Sequence, residues 1–182
     1  MSLGGEFAYN GGQVDHGAIF YFSLPHIKIG DNMKTFKRIL LAEDDLKDVE
    51  LTVNALSEHN LANDILVVRD GVEALDFLYR RGAFAQEPDG NPIVILLDLK
   101  MPKMDGIQVL KQIKSDKNLQ TIPVVVLTSS RESQDLQICY QLGANAYVVK
   151  PVKFADFIEA VRQIGVFWAL INEPPPDSVR KS

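Results

Sequence analysis

Four points along the chain combine residue types able to do chemistry with the same local setting. Glu43-Asp44-Asp45 follow the apolar run Ile39–Ala42, Asp98 follows Ile93–Leu97, Thr128-Ser129-Ser130 follow Val124–Leu127, and Lys150-Pro151 follow Ala146–Val149. Taken singly each is ordinary, since an acidic turn after a strand usually caps a helix and a lysine before proline is usually a surface charge. Four in the same order at four strand ends make a pocket. Glu43, Asp44 and Asp98 bring three negative charges and Lys150 one positive. Clustered carboxylates repel one another unless a proton or a cation intervenes. With oxygen ligands and no histidine or cysteine beside them, the cation expected is a hard one, Mg2+ ahead of zinc. Mg2+ held by few carboxylates commonly shares its shell with a phosphate, which points to phosphoryl transfer with an aspartate as nucleophile.

The elements that must position these residues are legible. A further apolar run, Ile65–Val68, completes a set of five strands. Each is nearly unbroken Ile, Val, Leu and Ala, as a parallel sheet covered on both faces requires. Between them lie amphipathic stretches: Leu46, Val49, Val53 and Leu56; Leu75 and Leu78 after a capping box at Asp70–Glu73; Ile107, Leu110 and Ile113 after a cap at Asp105. A fourth helix, with a cap suggested by the Ser129 to Glu132 spacing, carries Leu136 and Tyr140 and is closed by Gly143; a fifth carries Phe157, Ile158, Val161 and Ile164. The fold class is therefore α/β, a doubly wound five-stranded parallel sheet in a three-layer, flavodoxin-like sandwich. With strand order 2-1-3-4-5, the acids after strands one and three meet at the switch point where such folds bind ligands. The loop Gly82–Pro92 is long and polar and interrupts the rhythm.

Composition narrows the function. The 182 residues are 46% hydrophobic and 24% charged, with a formal charge of −5. That is an ordinary globular balance and a poor one for holding nucleic acid through phosphate neutralisation. Cys139 is the single cysteine, so no internal disulfide forms and a reducing compartment fits. Nothing near it suggests a reactive thiol, and it reads as a small buried residue. His16, His26 and His59 show no metal-ligand spacing with it. The run Ala18–Phe22 is too short to span a membrane and lacks the flanks of a signal peptide, so a cytoplasmic location is expected.

The four motifs together resemble the receiver domain of two-component response regulators over roughly residues 36–166: Ile39-Leu-Leu-Ala-Glu43-Asp44-Asp45, Ile95-Leu-Leu-Asp98-Leu-Lys100-Met-Pro-Lys-Met-Asp105-Gly106, Val126-Leu-Thr128-Ser-Ser130 and Gly143-Ala-Asn-Ala-Tyr147-Val-Val-Lys150-Pro151. The resemblance implies that Asp98 accepts the phosphoryl group from a sensor histidine kinase. It implies that Asp44 ligates Mg2+ directly, that Glu43 acts through water, and that Asp98 and the Lys100 carbonyl complete the protein's ligands. Thr128 would hydrogen-bond the phosphoryl group and Lys150 pair with it, Tyr147 would be the switch aromatic, and Lys150–Pro151 the family's cis peptide. Lys100 and Ser130 fall at positions that tune acyl-phosphate lifetime. The resemblance also implies autocatalytic phosphotransfer and self-dephosphorylation rather than turnover of a separate substrate.

Three rivals fit less well. A phosphatase of the haloacid-dehalogenase type, which also forms an aspartyl phosphate, carries a second aspartate two residues after the nucleophile, where this chain has Lys100. A receiver-like binding module that is never phosphorylated usually loses an acid or the lysine, and all are kept here. A flavin-binding domain would carry a phosphate loop rich in glycine and threonine after the first strand.

The expected organisation is a flexible N-terminal extension over 1–32, foreign in character to the rest of the chain and holding six of the 12 glycines, a receiver over 33–166, and an apolar helix end with a proline-rich tail over 167–182. With no long segment after the fifth helix, a stand-alone receiver is expected. The long loop and the tail are similar to those of the small regulators that partner bacterial phytochrome kinases. Val166, Phe167, Trp168, Leu170 and Ile171 are apolar nearly all round, so this helix end either folds back under another element or meets a second chain, and a homodimer through the fourth and fifth helices and the fifth strand is the favoured expectation.

Overall fold

The computed structural model describes residues 38–57, 65–87, 90–129, 132–150 and 154–175. The expectations for residues 1–32, for the Lys150–Pro151 peptide, for Ser130 and for the end of the proline tail lie outside them. Five strands, β1 (Ile39–Ala42), β2 (Ile65–Val68), β3 (Val94–Leu97), β4 (Val124–Thr128) and β5 (Ala146–Val149), alternate with helices α1 (Leu46–Ser57), α2 (Gly71–Leu78), α3 (Gly106–Ser115), α4 (Ser133–Gln141) and α5 (Phe154–Val166). All pairings are parallel and the order is β2-β1-β3-β4-β5. The sheet and its order are those expected from the unbroken apolar runs.

Successive residues of β1 serve opposite faces, as the period of a strand dictates. Leu40 and Ala42 join Val68, Phe77, Leu97, Val109, Leu110, Ile113 and Cys139 in a core beneath α2, α3 and α4. Ile39 and Leu41 join Leu56, Leu96, Leu127, Phe157 and Val161 in a second core, where α1 packs beside α5. β1, β3 and β4 are buried on both faces, which is why their sequences do not alternate. β5, at the sheet edge, is only half-buried throughout.

Local chemistry sets the helix ends. Asp105 caps α3 with a full capping box, its carboxylate accepting from Gln108 N at 2.8 Å while Gln108 Oε1 accepts from Asp105 N at 3.2 Å. At α2 only half of the expected box forms. Asp70 accepts from Glu73 N at 2.9 Å, but the Glu73 carboxylate accepts from Arg69 N, one residue before the cap. The cap expected between Ser129 and Glu132 is absent, since α4 starts at Ser133 behind Glu132 with no side-chain cap bond. α4 closes as expected on Gly143, whose φ of 95° is open to glycine and strained for other residues.

Two apolar patterns face outward instead of inward. α4 turns Cys139 to the sheet and leaves Leu136 and Tyr140 exposed, and Leu46 at the start of α1 is 71% exposed. Beyond α5 the helix widens into a π turn over Phe167–Ile171, with Asn172 N donating to Phe167 O. There Trp168 packs toward the α1–α5 core, and Phe167 and Ile171 remain exposed.

Candidate functional site

The parallel ladders bring the polar ends together. Glu43 extends β1 by one residue, its N–H donating to Val68 O, and Asp98 extends β3 in the same way, donating to Ala42 O. Lys150 extends β5, donating to Thr128 O. Thr128, the last residue of β4, is fully buried. Behind Asp98, Gly106 opens α3 so tightly that a Cβ there would lie 2.2 Å from the Asp98 carbonyl oxygen. Only glycine lets the helix seat against that strand end.

The Asp98 carboxylate is almost wholly enclosed. Its Oδ2 accepts from Lys100 N at 2.6 Å and its Oδ1 lies 3.1 Å from Lys150 Nζ. The same ammonium reaches Glu43 Oε2 at 2.6 Å and Asp48 Oδ2 at 2.7 Å. Glu43 is 3% exposed. Burial pushes its carboxyl up to about 7, against the pull of Lys150, and the nearby charge of Asp98 adds to the rise. For Lys150 burial works against the charge, but the bonds to Asp48 and Glu43 and the charge of Asp98 outweigh it and raise its pKa. Asp45 accepts from Lys47 N and Asp48 N as the cap of α1, and these bonds hold its carboxyl below the ordinary value.

Carboxylate oxygens of Glu43, Asp44 and Asp98 lie within 4.8 Å of one another, two of the residues buried and Asp44 exposed to the mouth. That oxygen-only set, with its excess negative charge, fits a hard divalent cation. The Lys100 peptide stands at the same pocket through its N–H on Asp98. Tyr147 lies on β5 opposite Val126, half-buried against the core under α2, α3 and α4. So Glu43, Asp44, Asp98, Lys100 and Lys150 surround one pocket, with Thr128 at the adjoining strand end and Tyr147 two residues into β5 from Thr128's partner Val149.

Two residues at the pocket were not expected. Asp48 contacts Lys150 from the first turn of α1, and Arg69 Nη1 donates to the Glu43 carbonyl at 3.3 Å. An acid in a helix's first turn is ordinarily explained by the helix dipole, and an arginine after a strand by solvent, so neither carried a signal in the sequence.

A family profile described as the response regulator receiver domain matches residues 39–162. The chain belongs to the response regulator receiver family. This receiver is 37% identical over 140 residues to the response regulator Rcp1 of Synechocystis sp., covering 77% of this chain and 94% of that protein. Rcp1 has been solved in a Mn2+-bound form, which superposes with a TM-score of 0.72 at 37% identity, over 76% of this chain and 99% of that one. The phosphorylated cyanobacterial phytochrome response regulator RcpA matches with a TM-score of 0.72 and 38% identity, over 76% and 98% of the two chains. The bacteriophytochrome response regulator RtBRR is 56% identical, with a TM-score of 0.63, over 78% of this receiver and 86% of that chain. No helix among the described residues is long and apolar enough to cross a membrane.

Proposed function

We propose that this receiver is a response regulator that takes a phosphoryl group from a sensor histidine kinase onto Asp98. The observation that carries the reading is the Asp98 carboxylate itself, enclosed at the end of β3 and held between the Lys100 N–H and the Lys150 ammonium, with Glu43 and Asp44 alongside. Attack by an Asp98 oxygen on a phosphohistidine breaks the P–N bond and forms an acyl phosphate, and the imidazole leaves as a neutral ring carrying one proton, held on its other nitrogen or taken up from solvent. Lys150 neutralises charge on the incoming phosphoryl oxygens, and the Thr128 hydroxyl supplies a neutral donor. Glu43, Asp44, Asp98 and the Lys100 carbonyl would hold Mg2+, which when bound supplies the remaining neutralisation of phosphoryl charge. The Mn2+-bound form of Rcp1 supports a divalent cation in this role.

The added charge on Asp98 draws Thr128 toward the phosphoryl group, and Tyr147 moves into the space it leaves. Signalling then leaves through surface contacts, in the cytoplasm. The same pocket admits water to the acyl phosphate, so the chain hydrolyses its own signal. Similarity to RcpA and RtBRR favours a phytochrome-type kinase as donor. Leu136 and Tyr140 on α4 and the exposed Phe167 and Ile171 after α5 support a homodimer through α4, β5 and α5. A protomer mass by light scattering at micromolar concentration would exclude it.

The functional reading is tested by phosphotransfer profiling against the host's autophosphorylated histidine kinases. One kinase is expected to hand its phosphate to the wild type rapidly and leave Asp98→Asn unlabelled. Failure of every kinase to label the wild type, or equal labelling of Asp98→Asn, would overturn it.

A further inference from the structure

An ammonium group has three N–H donors, and Lys150 faces three carboxylates, at 2.6 Å (Glu43), 2.7 Å (Asp48) and 3.1 Å (Asp98). The two shortest contacts lie on the β1–α1 side, and the contact to the phosphoacceptor is the longest of the three. A phosphoryl oxygen on Asp98 inherits the longest of these contacts, and closing it draws the ammonium from one of the two shorter ones. Glu43, with its side chain 4% exposed, is not solvated on release and gives the ammonium up only where a proton or a metal ion takes its place. Asp48 can release it, since its side chain is 32% exposed and is solvated on release. Its own position is secured by the first turn of α1, which Asp45 caps through Lys47 N and Asp48 N. The helix dipole accounts for an acid in that turn. It does not account for one aimed at an amine 102 residues away.

We propose that Asp48 is a positioning residue that restrains Lys150 in the resting receiver and yields it when Asp98 is phosphorylated. The proposal rests on the phosphoacceptor reading above. Asp48 therefore competes with the phosphoryl group for one ammonium. Removing it favours the phosphorylated arrangement and lengthens the life of the acyl phosphate.

The test uses beryllofluoride, a phosphoryl mimic, with the full chain at saturating Mg2+. Asp48→Ala is expected to bind it about three- to tenfold more tightly than wild type, the scale of coupling between contacting residues. In a Lys150→Met background the same substitution is expected to change affinity less than twofold (about the scatter of independent sites), because its effect passes through the lysine. A general charge effect would persist there. The 15N resonance of the Lys150 ammonium gives a second reading. Asp48→Ala is expected to shift it in the Mg2+-loaded protein but not in the beryllofluoride-bound protein, where the ammonium has already left Asp48. Unchanged or weaker binding by Asp48→Ala, an undiminished gain in the Lys150→Met background, or equal shifts in both states would overturn the proposal alone. A wild type that binds no beryllofluoride would overturn the phosphoacceptor reading and the proposal with it.

Discussion

Lys150 Nζ lies 2.6 Å from Glu43 Oε2, an ion pair that ties the end of β5 to the end of β1 across 107 residues of chain. Both partners are nearly enclosed, so neither is replaced easily by water. Breaking such a pair leaves a buried charge without its counter-ion. Lys150→Met is expected to destabilise the metal-free protein by about 1–3 kcal/mol, less than an obligately charged pair would lose, because Glu43 can take up a proton. Mg2+ is expected to recover part of the loss by supplying the missing positive charge. Urea unfolding with Mg2+ and with a chelator measures both quantities.

Gly106 allows α3 to begin directly against the phosphoacceptor strand. In Gly106→Ala the new Cβ would sit 2.2 Å from the Asp98 carbonyl and 2.9 Å from Leu99 Cα, both backbone atoms that cannot step aside alone. The substitution is expected to destabilise by about 1–3 kcal/mol, as overpacking does. It is also expected to slow phosphorylation, since Asp98 moves with its own backbone. Unfolding midpoints and phosphorylation rates, measured together, separate the two effects.

Asp70 combines a cap with an ion pair in which its own side chain is buried and that of Lys103 is exposed. It accepts from Glu73 N, and Lys103 Nζ lies 2.5 Å from its other oxygen although Lys103 itself sits at a φ of 60°. Burial works to raise the carboxyl's pKa, but Lys103 and the Glu73 N–H outweigh it and hold it below its ordinary value. A depressed carboxylate contributes stability above its unfolded value, here 3.8, and loses it as pH falls through the folded one. Asp70→Ala is expected to cost about 1–2 kcal/mol at neutral pH through the lost cap. The gap between wild type and Asp70→Asn is expected to hold down to about pH 3.8 and to narrow as pH falls below it, in urea melts carried below that value.

Cys139 is fully buried, and burial first, then the charge of Asp135, pushes its thiol up to about 11. At neutral pH it is expected to resist alkylation in the folded protein. Labelling with iodoacetamide in rising urea is expected to follow the global unfolding transition. Rapid labelling in native buffer would place the thiol at the surface.

Much of this was legible in the chain because the buried sheet leaves a strong mark. β1, β3 and β4 need apolar residues on both faces, so their runs stand out, and the polar residue ending each run is a pocket residue. Asp48 was not legible: its relation to Lys150 exists only once β3 and β4 are laid between β1 and β5, and nothing within α1 marks it. Leu136 and Tyr140 misled for the opposite reason. They sit one turn apart, as core residues do, but α4 needs only Cys139 beneath it and leaves them in solvent. The Asp70–Glu73 spacing fits a reciprocal box, yet Glu73 reaches Arg69 N, a choice of one residue that spacing does not decide. The π turn at Phe167–Ile171 has no sequence signature apart from being apolar all round.

Intact mass after treatment with a small-molecule phosphodonor tests the central claim most directly. With Mg2+, the wild type is expected to gain a single phosphoryl group that hydroxylamine removes, and a chelator is expected to prevent the gain. Asp98→Asn is expected to gain none. A wild type that stays unmodified, or an Asp98→Asn protein that gains the same group, would contradict the assignment of Asp98 as the phosphoacceptor.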